Sequence, residues 1–108
     1  MVKVNFLPKP LRKKGIEQKL QNACEENDIV FLAMFGSFAQ AKQTKKSDID
    51  FIVRFDKSQT KSLLDLIHTE NDLKKIFKRK IDLLTEDSLS PYLKDDVLKS
   101  MRVVYEKR

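Results

Sequence analysis

The amino-acid sequence predicts an α/β fold in which helices flank one small β-sheet. Short apolar runs with strand character alternate along the 108 residues with longer segments whose apolar positions recur at helical spacing. Their order is helix, strand, short helix, strand, helix, strand, helix, strand, which is typical of a layered α/β sandwich. At this length the chain supports one compact core, so we expect residues 1–108 to form a single domain.

The first elements are an amphipathic helix and a buried strand. In residues 12–26 the apolar positions recur at i, i+4, i+7 and i+8, which predicts a helix ending before Asn27. These positions are Ile16, Leu20, Ala23 and Cys24. Cys24 is therefore expected in the core. The continuous apolar run of residues 29–35 is typical of a buried strand, and the Gly36-Ser37 pair after it predicts a turn into a short helix.

The next two strands carry acidic residues at regular places. Residues 48–55 alternate between polar and apolar, so on a strand Asp48 and Asp50 share one face, with Cα atoms about 7 Å apart. The short run of residues 80–84 places Asp82 between apolar neighbours in the same way. An edge strand with one wet face would also alternate. Aspartate is depleted in strands, however, and neighbouring carboxylates repel, so a cation site is favoured.

The rest of the chain predicts two helices and a terminal strand. The first helix spans about residues 60–79, with a buried apolar stripe. That stripe comprises Leu63, Leu66, Ile67, Leu73, Ile76 and Phe77. His68 falls beside it, where we expect a solvent-facing or structural role. Ser90-Pro91 predicts an N-cap followed by a helix to about Lys99, and residues 102–106 suit a short edge strand.

The spacing Gly-Ser-x10-Asp-x-Asp indicates nucleotide chemistry with a divalent metal. A glycine lets the backbone approach a phosphate closely, and the serine adds a hydroxyl and an N–H. Magnesium prefers hard oxygen ligands and is usually held by one or two carboxylates plus substrate phosphates. Two such ions about 3.5–4 Å apart can activate an attacking oxygen and stabilise the leaving one at phosphorus. Without the downstream acids, Gly36-Ser37 would indicate only an ordinary strand-to-helix turn.

This motif resembles that of the DNA polymerase beta-like nucleotidyltransferases, and the small size and element order resemble the minimal nucleotidyltransferase (MNT) proteins. The likeness covers most of the chain, with the specific motif in residues 35–53 and at Asp82. It implies a mixed sheet with the acids on one exposed face. It also implies that Asp48 and Asp50 bind two Mg²⁺ ions, that Asp82 binds metal and helps to deprotonate the acceptor, and that Gly36 and Ser37 hold the triphosphate.

The resemblance to MNT proteins also implies a partner. MNT proteins act as antitoxins beside HEPN-domain toxins, which are ribonucleases, and some neutralise the toxin by adenylylation. The implied activity is transfer of AMP from ATP to a hydroxyl of such a toxin. The chain departs from the family pattern at Gln40-Ala41, where many members carry Arg-Gly. The alternative is therefore an antitoxin that binds and occludes its toxin, because Lys42, Lys45 or Lys46 would replace a bidentate arginine only in part.

Composition gives weaker indications. The chain has 22 Lys and Arg against 16 Asp and Glu, a net charge of +6 that favours acidic partners or nucleic acid, although charge also aids solubility. A basic cluster is expected to be a solvated helix face, with a phosphate-contacting patch as the alternative; it comprises Lys74, Lys75, Lys78, Arg79 and Lys80. The single cysteine and the absence of a signal-peptide pattern or an apolar run of about 20 residues predict a cytoplasmic protein without a membrane span.

Overall fold

The structure, a computed structural model, describes residues 11–36 and 48–107. Within these ranges three α-helices and four strands follow one another, with a 3-10 turn at Glu86–Ser88. In chain order they are α1 (Ile16–Glu26), β1 (Ile29–Phe35), β2 (Ile49–Phe55), α2 (Leu63–Phe77), β3 (Ile81–Thr85), α3 (Pro91–Ser100) and β4 (Arg102–Glu106). The predicted short helix after Gly36 lies outside the described residues, as do Ser37 and the Gln40-Ala41 pair.

The four strands form one mixed sheet in the order β3-β2-β1-β4. β1 is antiparallel to both of its neighbours, β2 and β4, whereas β2 and β3 are parallel and joined by the α2 crossover. Parallel neighbours require such a crossover because a tight hairpin can connect only antiparallel strands. The prediction of a small mixed sheet with helices is confirmed, and so is the edge position of β4.

The core lies between one face of the sheet and the helices α1 and α2. From β2 and β3 it receives Ile49, Phe51, Val53, Ile81 and Leu83, all nearly inaccessible to solvent. The rings of Phe51 and Phe77 meet at 5.6 Å between centroids, which joins α2 to the centre of the sheet. Cys24 is fully buried, and that burial raises the pKa of its thiol to about 12, so it is a core residue as predicted.

The two longer helices begin later than the apolar periodicity predicts. Gly15 has a φ of 80°, a left-handed conformation that cannot continue a right-handed helix, so α1 starts at Ile16 rather than at residue 12. α2 starts after Ser62, whose side chain accepts from the N–H of Asp65 while the Asp65 carboxylate accepts from the N–H of Ser62. This capping box fixes the first turn of α2. The Ser90 cap of α3 is confirmed, because its side chain accepts from the N–H of Tyr92.

The predicted buried stripe of α2 was wrong at two positions. Leu63 is 71% exposed and Ile67 is 44% exposed, whereas Leu73 and Phe77 are buried. Leu66 and Ile76 are partly buried against the core, and Thr69 is buried in their midst. The helix is therefore rotated toward Thr69, a polar residue that apolar periodicity does not count.

A buried hydrogen-bond network explains that rotation. Asn27, at the C-terminal end of α1, donates to the carbonyl of Ala23 at 2.8 Å and to the carboxylate of Asp72 at 3.0 Å. Its amide oxygen accepts from the hydroxyl of Thr69 at 3.1 Å and lies 3.0 Å from Nδ1 of His68. His68 thus combines an exposed ring with a structural contact, as predicted. Among the described helices, none is long and apolar enough to cross a membrane.

We expect Asn27→Ala to lower the free energy of unfolding by about 1–3 kcal/mol, because it removes the side-chain hydrogen bonds that join the end of α1 to Thr69, His68 and Asp72 of α2. Urea denaturation followed by circular dichroism measures this change. Asn22→Ala is the matched control, since Asn22 is exposed and accepts a hydrogen bond from Gln18 at the surface of α1. It should cost no more than about 0.5 kcal/mol. Equal losses in the two variants would contradict a structural role for the network.

Candidate active site

Three carboxylates meet where β2 and β3 begin. Asp48 immediately precedes β2, and Asp50 is its second residue. The parallel register pairs Asp50 with Asp82 of β3, and the bond from Ile49 N to Lys80 O, at 3.0 Å, continues the pairing to the start of both strands. Because side chains alternate along a strand, all three acids project from the face opposite the core. The structure therefore brings together the three acids that the sequence singled out.

The electrostatics of Asp50 reflect this crowding. The pKa of Asp50 is raised to about 6, first by burial of the carboxyl group, then by the charge of Asp82 and a hydrogen bond with its side chain, and then by the charge of Asp48. A shared hydrogen bond between two carboxyl groups requires a proton on one of them. The acids thus repel one another unless a proton or another cation lies among them.

Gly36 closes this arrangement from the side of β1. Phe35 is the register partner of Asp50, so the chain leaves β1 directly beside that carboxylate. Gly36 has a φ of 72°, and a Cβ atom added there would lie 2.5 Å from Oδ2 of Asp50. Only glycine fits both the left-handed conformation and the close approach. The predicted glycine turn is therefore part of the acid site, whereas Ser37 lies outside the described residues.

The acids and the glycine fit a hard divalent cation by the chemistry of their donors. Carboxylate oxygens are ligands that Mg²⁺ prefers, and the cradle at Gly36 leaves the Asp50 oxygen unobstructed. In the described ranges no group of three or more Asp, Glu, His or Cys side chains is arranged to hold a metal ion by itself. A magnesium site of this class does not require one, because waters and substrate phosphates supply the remaining ligands.

One charged neighbour of the acids was not anticipated. Lys80 Nζ lies 3.9 Å from Oδ2 of Asp48, although the side chain of Lys80 is 71% exposed. The sequence placed Lys80 at the end of a solvated basic cluster, and its exposure agrees with that. Its proximity to Asp48 follows from the strand pairing, which local sequence patterns do not reveal.

A separate cleft of about 500 Å³ lies at the opposite, carboxyl ends of β2 and β3. Most of its charged side chains form ion pairs or hydrogen bonds with one another or with neighbouring residues. Arg54 pairs with Glu86 at 2.6 Å, Lys61 pairs with Asp28 at 2.9 Å, and two hydrogen bonds from Ser58 lower the pKa of Asp56. The chemistry favours the acid site over this cleft, because three acids meet there with only the exposed Lys80 paired to one of them.

Comparison with known proteins agrees with this geometry. The family described as Polymerase beta, Nucleotidyltransferase matches residues 18–108. A relative from Methanocaldococcus jannaschii, named "putative protein adenylyltransferase", is 35% identical over 83 residues, which are 77% of this chain and 87% of the relative. This similarity extends well beyond the motif, because it includes most of the strands and helices described above.

Two solved structures share the fold. One, described as a "putative minimal nucleotidyltransferase", superposes with a TM-score of 0.67 at 27% identity, covering 80% of this chain and 86% of that chain. The other is one chain of a solved complex, described as the "tri-AMPylated Shewanella oneidensis HEPN toxin in complex with MNT antitoxin". It gives a TM-score of 0.61 at 19% identity and covers 85% of this chain and 71% of that chain. The sequence and fold together place this chain in the polymerase beta nucleotidyltransferase family.

Proposed function

We propose that this protein is a protein adenylyltransferase that acts as an antitoxin. It transfers AMP from ATP to a hydroxyl of a partner HEPN-type toxin and so neutralises it. The observation that carries the proposal is the convergence of Asp48, Asp50 and Asp82 on one sheet face against the backbone of Gly36. The relative named as an adenylyltransferase and the AMPylated toxin complex of the same fold support the choice of nucleotide and partner.

Each residue has a role that its position supports. Asp48, just before the internal strand β2, and Asp50 within it hold magnesium, up to two ions, and Asp82 completes the set from β3. Gly36 admits a phosphate close to the backbone, and Ser37 beside it adds a hydroxyl donor. The bound metal supplies charge neutralisation for the triphosphate and the developing oxyanion.

The proposed reaction is an in-line displacement at the α-phosphorus of ATP. The acceptor oxygen forms a new bond to phosphorus, the bond to the bridging oxygen of the β-phosphate breaks, and pyrophosphate leaves with that electron pair. Asp82 receives the hydroxyl proton or passes it to water. The product carries a bulky, anionic phosphodiester, which would obstruct RNA by volume and by charge.

An occluding antitoxin is the second candidate, and Gln40-Ala41 is the observation that favours it. The family's arginine at this position would add a bidentate phosphate contact that glutamine does not provide. Binding of the toxin alone would then suffice for neutralisation. We assign the net positive charge to contacts with the partner or with the triphosphate, and nucleic acid binding rests on that charge alone.

Residues 1–108 are proposed to act as a single domain in the cytoplasm. The family match over residues 18–108 and the one sheet formed by the described strands support the first part. The free thiol of Cys24 supports the second, because a reducing compartment keeps cysteines unpaired.

Magnesium and ATP together should raise the melting temperature of the protein, because they bind the folded state. Asp48→Asn combined with Asp50→Asn should remove most of this increase in differential scanning fluorimetry. The matched control is Asp95→Asn with Asp96→Asn, which alters two exposed acids on α3. Undiminished stabilisation of the first double variant would place the nucleotide elsewhere.

Free protein should lose stability as the pH rises from about 4 to about 6. The folded pKa of Asp50 is raised above its ordinary value, so the folded state binds the proton more tightly and ionisation disfavours folding. Asp50→Asn should be more stable than wild type above pH 6, by on the order of 1 kcal/mol after solvent screening of this partly exposed group. Urea titrations at pH 4 and pH 8 test this, and Asp95→Asn should show no such gain.

Purified partner toxin, labelled ATP and magnesium should yield toxin carrying AMP, detected by label and by intact mass. Asp82→Asn should still bind the toxin and should lose most of the transfer, because the metal set and the proton acceptor are incomplete. Toxin that remains inactive after the antitoxin is removed would support catalysis. If wild type inhibits without ATP, and Asp48→Asn, Asp50→Asn and Asp82→Asn inhibit equally well, occlusion replaces transfer.

A further inference from the structure

Lys80 belongs to the same small arrangement as the three acids, and the backbone sets its place. Its carbonyl oxygen accepts a hydrogen bond from the N–H of Ile49, the residue between Asp48 and Asp50. Extending the register by one residue from the Ile49 and Ile81 pair puts Lys80 opposite Asp48. The start of the two parallel strands therefore presents Asp48 and Asp50 on one side and Lys80 and Asp82 on the other.

The charges of this group of four explain why a lysine would stand there. Three carboxylates and one ammonium leave an excess of negative charge, which a divalent cation would neutralise. Nζ of Lys80 is 3.9 Å from Oδ2 of Asp48, so the ammonium already partly fills that role in the free protein. Its side chain is 71% exposed, and a lysine stem is flexible with rotatable donors, so it can change partners.

We propose that Lys80 is a positioning residue with two partners in turn. In the free protein it neutralises Asp48. When magnesium and a nucleoside triphosphate bind, Asp48 turns to the metal and the ammonium of Lys80 contacts the phosphate oxygens. This role rests on the proposed function. Lys80, just before β3, would supply part of the positive charge that Gln40 does not supply.

The two partners give Lys80 opposite effects on two binding constants. As a competitor for Asp48 it weakens binding of the metal ion alone. As a phosphate contact it strengthens binding of the nucleotide in the presence of metal. Substitution of a residue that merely supported the fold would change both binding constants in the same direction. Opposite changes in the two constants therefore identify the role.

The test uses the full chain and two probes. Mn²⁺ binding without nucleotide is measured by electron paramagnetic resonance, and α,β-methylene-ATP binding at saturating Mg²⁺ is measured by calorimetry. Lys80→Ala should tighten Mn²⁺ binding by up to about fivefold, as expected for loss of an exposed ion pair. It should weaken binding of the ATP analogue roughly tenfold or more. Lys80→Arg should retain most of the affinity for the analogue.

Lys75→Ala is the matched control, because it removes one exposed ammonium from the same basic cluster. The role of Lys80 is wrong if Lys80→Ala behaves like Lys75→Ala, or if it shifts both constants in one direction. Asp50→Asn separates this outcome from failure of the proposed function. Loss of both ligands in Asp50→Asn with no effect of Lys80→Ala would overturn only the role of Lys80. Normal binding by Asp50→Asn would overturn the metal site itself, and the role of Lys80 with it.

Discussion

The parallel pairing of β2 with β3 is the constraint on which the site depends. The two strands run in register from Ile49 and Ile81 to Val53 and Thr85, so Asp50 is placed opposite Asp82. A slip of one residue would turn every side chain of β3 to the other face. Asp82 would then enter the core and Ile81 would lose its burial. The apolar alternation that builds the core thus also specifies where the acids meet.

The site opposes the stability of the strands that carry it. Three carboxylates lie close together, and the raised pKa of Asp50 shows that ionisation there is unfavourable. Gly36 adds a left-handed turn that ends β1 beside the same carboxylate. The opposite face of these strands offsets the cost, because Ile49, Phe51 and Ile81 are fully buried. The seven residues of β2 therefore combine fully buried apolar side chains on one face with the crowded carboxylate of Asp50 on the other.

The sequence predicted features that depend on local pattern and failed where long-range contacts decide. The apolar run of β1 and the alternation of β2 defined those strands closely, and the Ser90 cap set the start of α3. Periodicity could not tell which side of α2 docks, since Leu63 and Ile67 fit a helical stripe as well as Leu73 does. The hydrogen bonds of Asn27 with Thr69, His68 and Asp72 decide this.

The three acids were found because nucleotide chemistry requires carboxylates at a fixed spacing. The sequence did not reveal their neighbour Lys80, because Lys80 approaches Asp48 only through pairing between strands that lie about thirty residues apart in the sequence. The order of the strands was equally beyond local pattern, because it depends on which edges pair after α2 and α3 have crossed the sheet. Local spacing thus predicts the candidate metal-binding acids, whereas tertiary strand pairing determines which other side chains, such as Lys80, lie beside them.

Asp82 differs from the other two acids in one respect: β3 is an outer strand of the described sheet, whereas β2 is paired on both sides. Edge strands open at lower free energy than central ones, because fewer hydrogen bonds and contacts must break. Detachment of β3 would carry Asp82 away while Asp50 remains held beside β1. The acid cluster therefore comes apart when this one edge strand is lost, at the cost of exposing Ile81 and Leu83, while β1, β2 and β4 remain paired. The persistence of that cluster is governed by the local stability of one five-residue strand.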